Sequence, residues 1–203
     1  RVVRALADMQ GTWKVRDLAA AAGTSLGSTA RTLDFLDREA LVRRDKSGTV
    51  IAVEWRSMIE RWAADYDLAS YPRIVRLIEP RGIERIETSL RDADARYVLS
   101  GSLAARRRAP YAEPRLAVVY AYDADRMGKR LGVRETDAGA NVLIIEPKDD
   151  LPFVRTWTDA SSVYAALPQV AVDLLSGPGR NPEEGMALLR WMQQFEAQWR
   201  HPK

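Results

Sequence analysis

VRDLAAAAGTSLGSTARTLDFLDREALVRRDKSGTVIAV, from Val15 to Val53, is the stretch on which the reading of this chain turns. Val15, Leu18, Ala19 and Ala22 recur at helical spacing, Gly23 supplies a left-handed stop, and Thr24-Ser25 restart the chain with a side-chain cap. The turn between the helices is therefore short. The second helix, Ser25 to Glu39, is expected to bury Leu26, Ala30, Leu33, Leu36 and Ala40 on one stripe and to turn Ser25, Ser28, Thr29, Arg31 and Thr32 outward. Short polar side chains plus one guanidinium pack poorly. They do let a helix axis approach the base edges of a DNA major groove, and they offer donors and acceptors there.

Two β-rich runs follow at once, Leu41-Val42-Arg43-Arg44 and Thr49 to Val53, joined by Asp45-Lys46-Ser47-Gly48. The Gly can take the positive φ that such loops require. Arg43, Arg44 and Lys46 crowd the strand end and tip, where a wing reaches phosphates or the minor groove. Helix, turn, polar helix and basic hairpin, in that order, spell a winged helix-turn-helix; a small α+β interaction module with a solvated basic turn is the alternative.

Composition sets wide limits. The chain has 203 residues, 46% apolar and 29% charged, which is ordinary for a globular protein and enough for one large domain or two small ones. A net charge of +3 spread along the whole length does not by itself argue for nucleic acid, so the argument rests on local placement. There is no cysteine, which excludes disulfides and thiolate metal sites, and the single histidine, His201, excludes a His-based zinc site and a conventional catalytic triad. It reads as a disordered tail residue. No apolar run approaches the roughly twenty residues of a membrane span, so the expectation is a cytoplasmic protein; a start at Arg1 rather than Met leaves open what preceded it.

The rest of the chain reads as α+β. A first helix holds Val2, Val3, Leu6, Ala7 and Met9, its start falling upstream, and ends at Gly11, while Trp13 plugs the core and Trp55 to Tyr66 closes the domain as a helix. The expected domains are therefore 1–66 for the DNA-binding unit, a linker over 67–72 marked by Ser70-Tyr71-Pro72, and 73–203 for a mixed α/β domain. In the latter, strands are expected at Arg73 to Ile78, Tyr97 to Leu99, Arg115 to Tyr122, Leu131 to Val133, Asn141 to Glu146, Phe153 to Trp157 and Val163 to Ala165. Helices are expected from Ile83 to about Asp94, from Leu103, from Pro168 to Leu175, and from Asn181 to about Arg200.

Candidate chemistry is thin. Ser100-Gly101-Ser102 before a strong strand has the layout of a nucleotidyltransferase, in which the strand presents carboxylates to magnesium. Here the strand offers Val118, Val119 and Tyr120, and the first carboxylates are Asp123 and Asp125, so at best the fold has lost its chemistry. Asp149-Asp150 and Glu183-Glu184 are too exposed by pattern and too isolated for a metal pair. Arg106-Arg107-Arg108 reads as a second phosphate contact, an acidic-partner contact or a solvated face, and Gly177-Pro178-Gly179-Arg180 as an anion-binding turn or, better, a helix stop. Aromatic residues Tyr120, Tyr122, Trp157 and Tyr164 suit either a small-molecule pocket or, more simply, core.

Three stretches behind the N-terminal segment carry a resemblance. They are Tyr97-Val98-Leu99-Ser100-Gly101-Ser102-Leu103-Ala104-Ala105-Arg106, Ala140-Asn141-Val142-Leu143-Ile144-Ile145-Glu146-Pro147 and Ala166-Leu167-Pro168-Gln169-Val170-Ala171-Val172-Asp173-Leu174-Leu175-Ser176-Gly177-Pro178-Gly179-Arg180. With them the chain resembles the AbiEi family of antitoxins from type IV toxin-antitoxin (abortive infection) systems. The resemblance implies a regulator that represses its own operon by binding inverted repeats in double-stranded DNA, with a C-terminal domain that counters a nucleotidyltransferase toxin without stable contact. The sequence reading is thus a DNA-binding transcriptional regulator with no catalytic, metal or cofactor residues, its DNA contacts being Ser25, Ser28, Thr29, Arg31, Thr32, Arg43, Arg44 and Lys46. A nucleotidyltransferase-like enzyme and a ligand-responsive repressor are the alternatives.

Overall fold

The computed structural model describes residues 1–66, 71–91 and 95–203. It has two compact units, Arg1–Asp65 with Met192–Lys203 and Tyr66–Trp191. The division falls inside the last long helix, Asn181–Gln194.

In the first unit, helices α1 (Val2–Asp8), α2 (Val15–Ala22) and α3 (Leu26–Arg38) precede a hairpin of β2 (Val42–Arg44) and β3 (Val50–Val53), and α4 (Trp55–Asp65) follows. Gly23 ends α2 at φ 60°, its N–H reaching the Ala20 carbonyl while the Thr24 N–H returns to Ala19. That geometry satisfies the carbonyls left over at the helix end and asks for a residue without Cβ. Ser25 caps α3, its Oγ accepting the Ser28 N–H at 3.2 Å. Trp13 adds a short third rung to the hairpin through paired backbone bonds of 2.9 Å to Val50. Trp13, Leu6, Leu18, Leu33, Leu36, Met58 and Ile59 are buried together as the core of this small unit.

The end of the chain returns to this unit, which corrects the expected 73–203 domain. Strand β11 (His201–Pro202) pairs in parallel with β1 (Met9–Gln10). Arg200 donates to the carbonyls of Ala7 and Leu6, groups that the end of α1 leaves without partners in the helix, and Trp199 packs edge-on against Trp55 at 5.0 Å. His201 is therefore a strand residue, not a loose one. Of the expected linker, residues 67–70 lie outside the described residues.

The second unit is built on a seven-stranded mixed sheet with the order β7-β4-β8-β6-β5-β10-β9. Its strands are β4 (Arg73–Ile78), β5 (Tyr97–Ser100), β6 (Ala117–Ala121), β7 (Arg134–Glu135), β8 (Val142–Glu146), β9 (Trp157–Asp159) and β10 (Ser162–Tyr164). Only β6–β8 and β5–β10 are parallel neighbours. Because side chains alternate along a strand, the register sorts the faces. Leu99, Val119 and Ile144 are cross-strand partners on one face, with Leu77 on the same side. There α7 (Ala124–Leu131) lies close enough that a Cβ on Gly128 would sit 3.3 Å from Leu77, and α5 (Glu84–Arg91) packs beside it. Val98, Ser100, Val118, Tyr120, Leu143 and Arg76 share the opposite face, which receives α6 (Gly101–Ala105) and α8 (Leu167–Leu175). The molecule is thus α+β with helices on both faces of a mixed sheet. Central strands covered on both sides explain the unbroken apolar run from Val142 to Ile145.

Two expected strands move. Leu131-Gly132-Val133 is the end of α7, capped by Gly132 at φ 66°, and the strand begins one residue later. Within Phe153 to Trp157, Pro152 and its neighbours make a 3-10 turn (Leu151–Phe153), so the strand starts only at Trp157. Among the described residues no helix is long and apolar enough to cross a membrane.

Candidate nucleic-acid interface

The core stripe of α3 is Thr29, Leu33 and Leu36, at spacings of four and three. That phase corrects the expected one: Leu26 is 52% exposed, and Ala40 lies beyond the helix at φ 54°. Thr29 is fully buried, its Oγ1 bonded to the Ser25 carbonyl at 3.0 Å and to the Thr24 hydroxyl at 2.8 Å, so it does not face solvent as expected. A threonine whose hydroxyl is satisfied by its own backbone turn packs its methyl group like a small apolar residue, and counting it as polar misplaced it. Thr32 is half-buried, donating to the Ser28 carbonyl at 3.0 Å, and Ser28 is half-buried beside it. Ser25 is exposed but occupied as the cap.

The outward face carries Gly27, Arg31, Asp34, Phe35 and Arg38. Arg31 is exposed and has no ion pair among the described residues; Gly27 leaves open the space beside its guanidinium. On the hairpin, Arg43 and Lys46 are likewise exposed and unpaired among the described residues. Arg44 is different. It bridges back to α3 through Asp34 at 2.9 Å and Asp37 at 3.0 Å, and the Asp37 hydrogen bond, ahead of the others, holds its charge more firmly than usual. A guanidinium spent on two carboxylates fixes the hairpin against the helix and is not a free phosphate ligand, which corrects its expected role. Asp45 organises the tip, accepting from the Ser47 N–H at 2.8 Å, the Ser47 hydroxyl at 2.6 Å and the Thr49 N–H at 3.0 Å. Those bonds, the Ser47 hydroxyl first, hold its carboxyl below the usual range.

The second unit holds two buried polar clusters that the sequence reading missed. Asp173 on α8 is buried and accepts from the Ser100 hydroxyl, Tyr120 at 2.9 Å, Gln169 at 2.9 Å and Tyr66 at 3.1 Å. Burial pushes its carboxyl up against the effect of these bonds, and burial also raises Tyr120 and Tyr66. The available signal was a single acid inside the apolar run from Val170 to Leu175. Glu87 on α5, also buried, takes Tyr164 at 2.6 Å, Arg106 at 2.5 Å and Arg107 at 3.1 Å. Burial works against its ionisation, but the bonds from Tyr164 and Arg106 prevail and keep it below the usual carboxylate range; burial pushes Tyr164 up to about 12.

Arg106 and Arg107 are therefore internal ties, while Arg108 is exposed and lies over Trp157 at 4.5 Å, so the run is not a uniformly solvated face. Tyr120 and Tyr164 belong to these clusters. Tyr122 stacks instead on Phe153, so the aromatic residues do not wall one pocket. Asp123 caps α7, Asp125 pairs with Arg73 at 2.6 Å, and no group of acids or His among the described residues could hold a metal ion. Glu184, expected to be exposed, is 7% exposed. No family model, curated protein or solved structure matches the chain.

Proposed function

We propose that the first unit is a winged helix-turn-helix that binds double-stranded DNA, and that the protein is a transcriptional regulator. The observation that carries this reading is the pairing pattern at its surface. Arg31 on α3 and Arg43 and Lys46 on the hairpin are exposed and unpaired among the described residues, while the neighbouring Arg44 is consumed in bracing the hairpin onto that same helix. Unpaired cations on one braced helix-and-hairpin element suit a polyanion, and an interior ion-pair network has no use for them. Arg31, with Ser28 and Thr32 beside it, reads base edges; Arg43 and Lys46 hold phosphates.

The resemblance to AbiEi antitoxins extends the proposal. The operator is an inverted repeat ahead of the protein's own gene, the regulator is an autorepressor, and a nucleotidyltransferase toxin is its functional partner without a stable complex. The second unit is non-catalytic in this reading, supported by the buried Val118, Val119 and Tyr120 on the strand where metal-binding acids would stand. A gel shift of the protein on its own upstream region against random duplex of equal length is the test. Preference for the upstream region supports the reading, and equal or absent binding ends it.

A further inference from the structure

The face of the sheet that carries α6 and α8 has a large open cavity of about 890 Å³, wholly within the second unit. Its floor is Leu116 and Leu143, and Arg76, Arg115 and Arg180 line it. Arg76 is there by register, as the cross-strand partner of Leu143 on β4. Arg180 is there because the turn after α8 is tight: a Cβ on Gly177 would come within 2.5 Å of Asn181 and 2.9 Å of the Asp173 carbonyl, and Gly179 takes φ 65°. Arg180 thus stands immediately before α9 (Asn181–Gln194), whose first turn faces the cavity through Asn181.

All three guanidinium groups are exposed, and none makes a side-chain hydrogen bond or ion pair among the described residues. Arg73, Arg81, Arg96, Arg106 and Arg107 of the same unit have carboxylate partners instead. Against two carboxylates in the same lining, Glu113 and Glu184, these three cations leave the cavity an excess of positive charge that favours an anion. We propose that this cavity is a binding site for an organic phosphate of nucleotide size: the phosphates lie on Arg76, Arg115 and Arg180 at the start of α9, and an apolar or aromatic body lies on Leu116 and Leu143. Guanidinium forks match phosphate oxygens in pairs. The volume is in the range of small-molecule sites and well above what a bare inorganic anion fills. Glu184, which borders the cavity, is buried, and burial pushes its carboxyl up.

The site is separate from the DNA-reading surface, and its test does not depend on that proposal. Calorimetric titration of the full chain with ATP, adenosine and inorganic pyrophosphate, at near-physiological salt, reads it directly. ATP is expected to bind with one-to-one stoichiometry, pyrophosphate at least tenfold more weakly, and adenosine more weakly still. Arg115→Ala and Arg180→Ala each weaken ATP at least tenfold, about 1.4 kcal/mol, while Arg126→Ala, outside the cavity, leaves it unchanged. Unchanged thermal melting of the variants shows that they fold. Four results overturn the proposal: no ATP binding; pyrophosphate binding as tight as ATP; ATP binding indifferent to the arginine variants; or a single-stranded RNA 12-mer that binds tighter than ATP and is lost in the same variants, which would make this a nucleic-acid groove.

Discussion

Arg43 and Lys46 on the hairpin and Arg106 and Arg107 after α6 are cations at opposite extremes of commitment. The first pair is exposed and unpaired among the described residues, whereas the second pair converges on one buried carboxylate, Glu87, through bonds of 2.5 and 3.1 Å. A cation near a buried acid is part of the fold; an exposed cation without an ion pair is available to a partner. Arg44 shows how narrow the margin is, since it lies one residue from Arg43 yet is paired with Asp34 and Asp37, two surface carboxylates of α3. The difference should appear as a split between variants that lose stability and variants that lose binding.

The largest effect is expected within the buried clusters. Asp173→Ala strands four donors at once and should cost roughly 3 kcal/mol or more in urea unfolding, by the usual penalty for unsatisfied buried groups. A loss below about 1 kcal/mol would mean the cluster is not structural. Next is Glu87→Gln, which removes the nearest countercharge of both arginines and leaves Arg106 only Glu84 at 3.7 Å and Arg107 only Asp159 at 3.8 Å among the described residues. Both arginines are partly solvated, at 24 and 25% side-chain exposure, so the cost should be about 2 kcal/mol, under the full penalty for breaking a buried pair.

The two acids also respond to pH with opposite sign. Glu87 titrates lower when folded, so its stabilisation is present above its unfolded pKa and is lost as pH falls through the folded value. Asp173 titrates higher when folded, so its contribution is complete below the ordinary carboxylate pKa and is lost as pH rises through the folded value. Glu87→Gln should flatten the acid side of the stability curve, and Asp173→Asn the side above it. Parallel changes in both variants would break the contrast.

On the surface, stability should hold and binding should move. Arg31→Ala is expected to cost about 1 to 3 kcal/mol of discrimination between the upstream sequence and random duplex. Arg43→Ala and Lys46→Ala should weaken both duplexes alike and lower the slope of log affinity against log salt by about 1 each. Retained specificity in the first variant or an unaltered salt slope in the others would detach this surface from DNA. The smallest change belongs to Arg44→Ala, under about 1 kcal/mol of stability with the salt slope intact.

The boundary elements of the first unit were legible because their signals are local. Gly23, the Ser25 cap and the Gly48 turn each determine backbone geometry by their own chemistry, and β4, β6 and β8 announce themselves by apolar runs. What stayed hidden depends on residues far apart in the chain. Asp173 meets Ser100 and Tyr120 only after the sheet has formed, Glu87 meets Tyr164 across 77 positions, and Arg200 reaches Leu6 across 194. The misplacement of Thr29 was of another kind: a hydroxyl was scored as polar although its partners lay within its own helix turn. At the candidate interface the sequence marks the segment and the exposed Arg31, Arg43 and Lys46, whereas the role of Arg44 depends on Asp34 and Asp37, carboxylates of the preceding helix that compete for it.

The pairing of β11 with β1 leaves the first unit incomplete until the whole of the second unit has been made. Its opening 65 residues leave the ribosome well before Trp199, Arg200 and the closing strand exist, so through most of translation Trp55 lacks its ring partner and the end of α1 keeps open carbonyls. A chain stopped before Trp199 would therefore carry the whole helix-and-hairpin element without the strap that finishes its fold, which ties the finished surface to synthesis of the strand that follows the second unit.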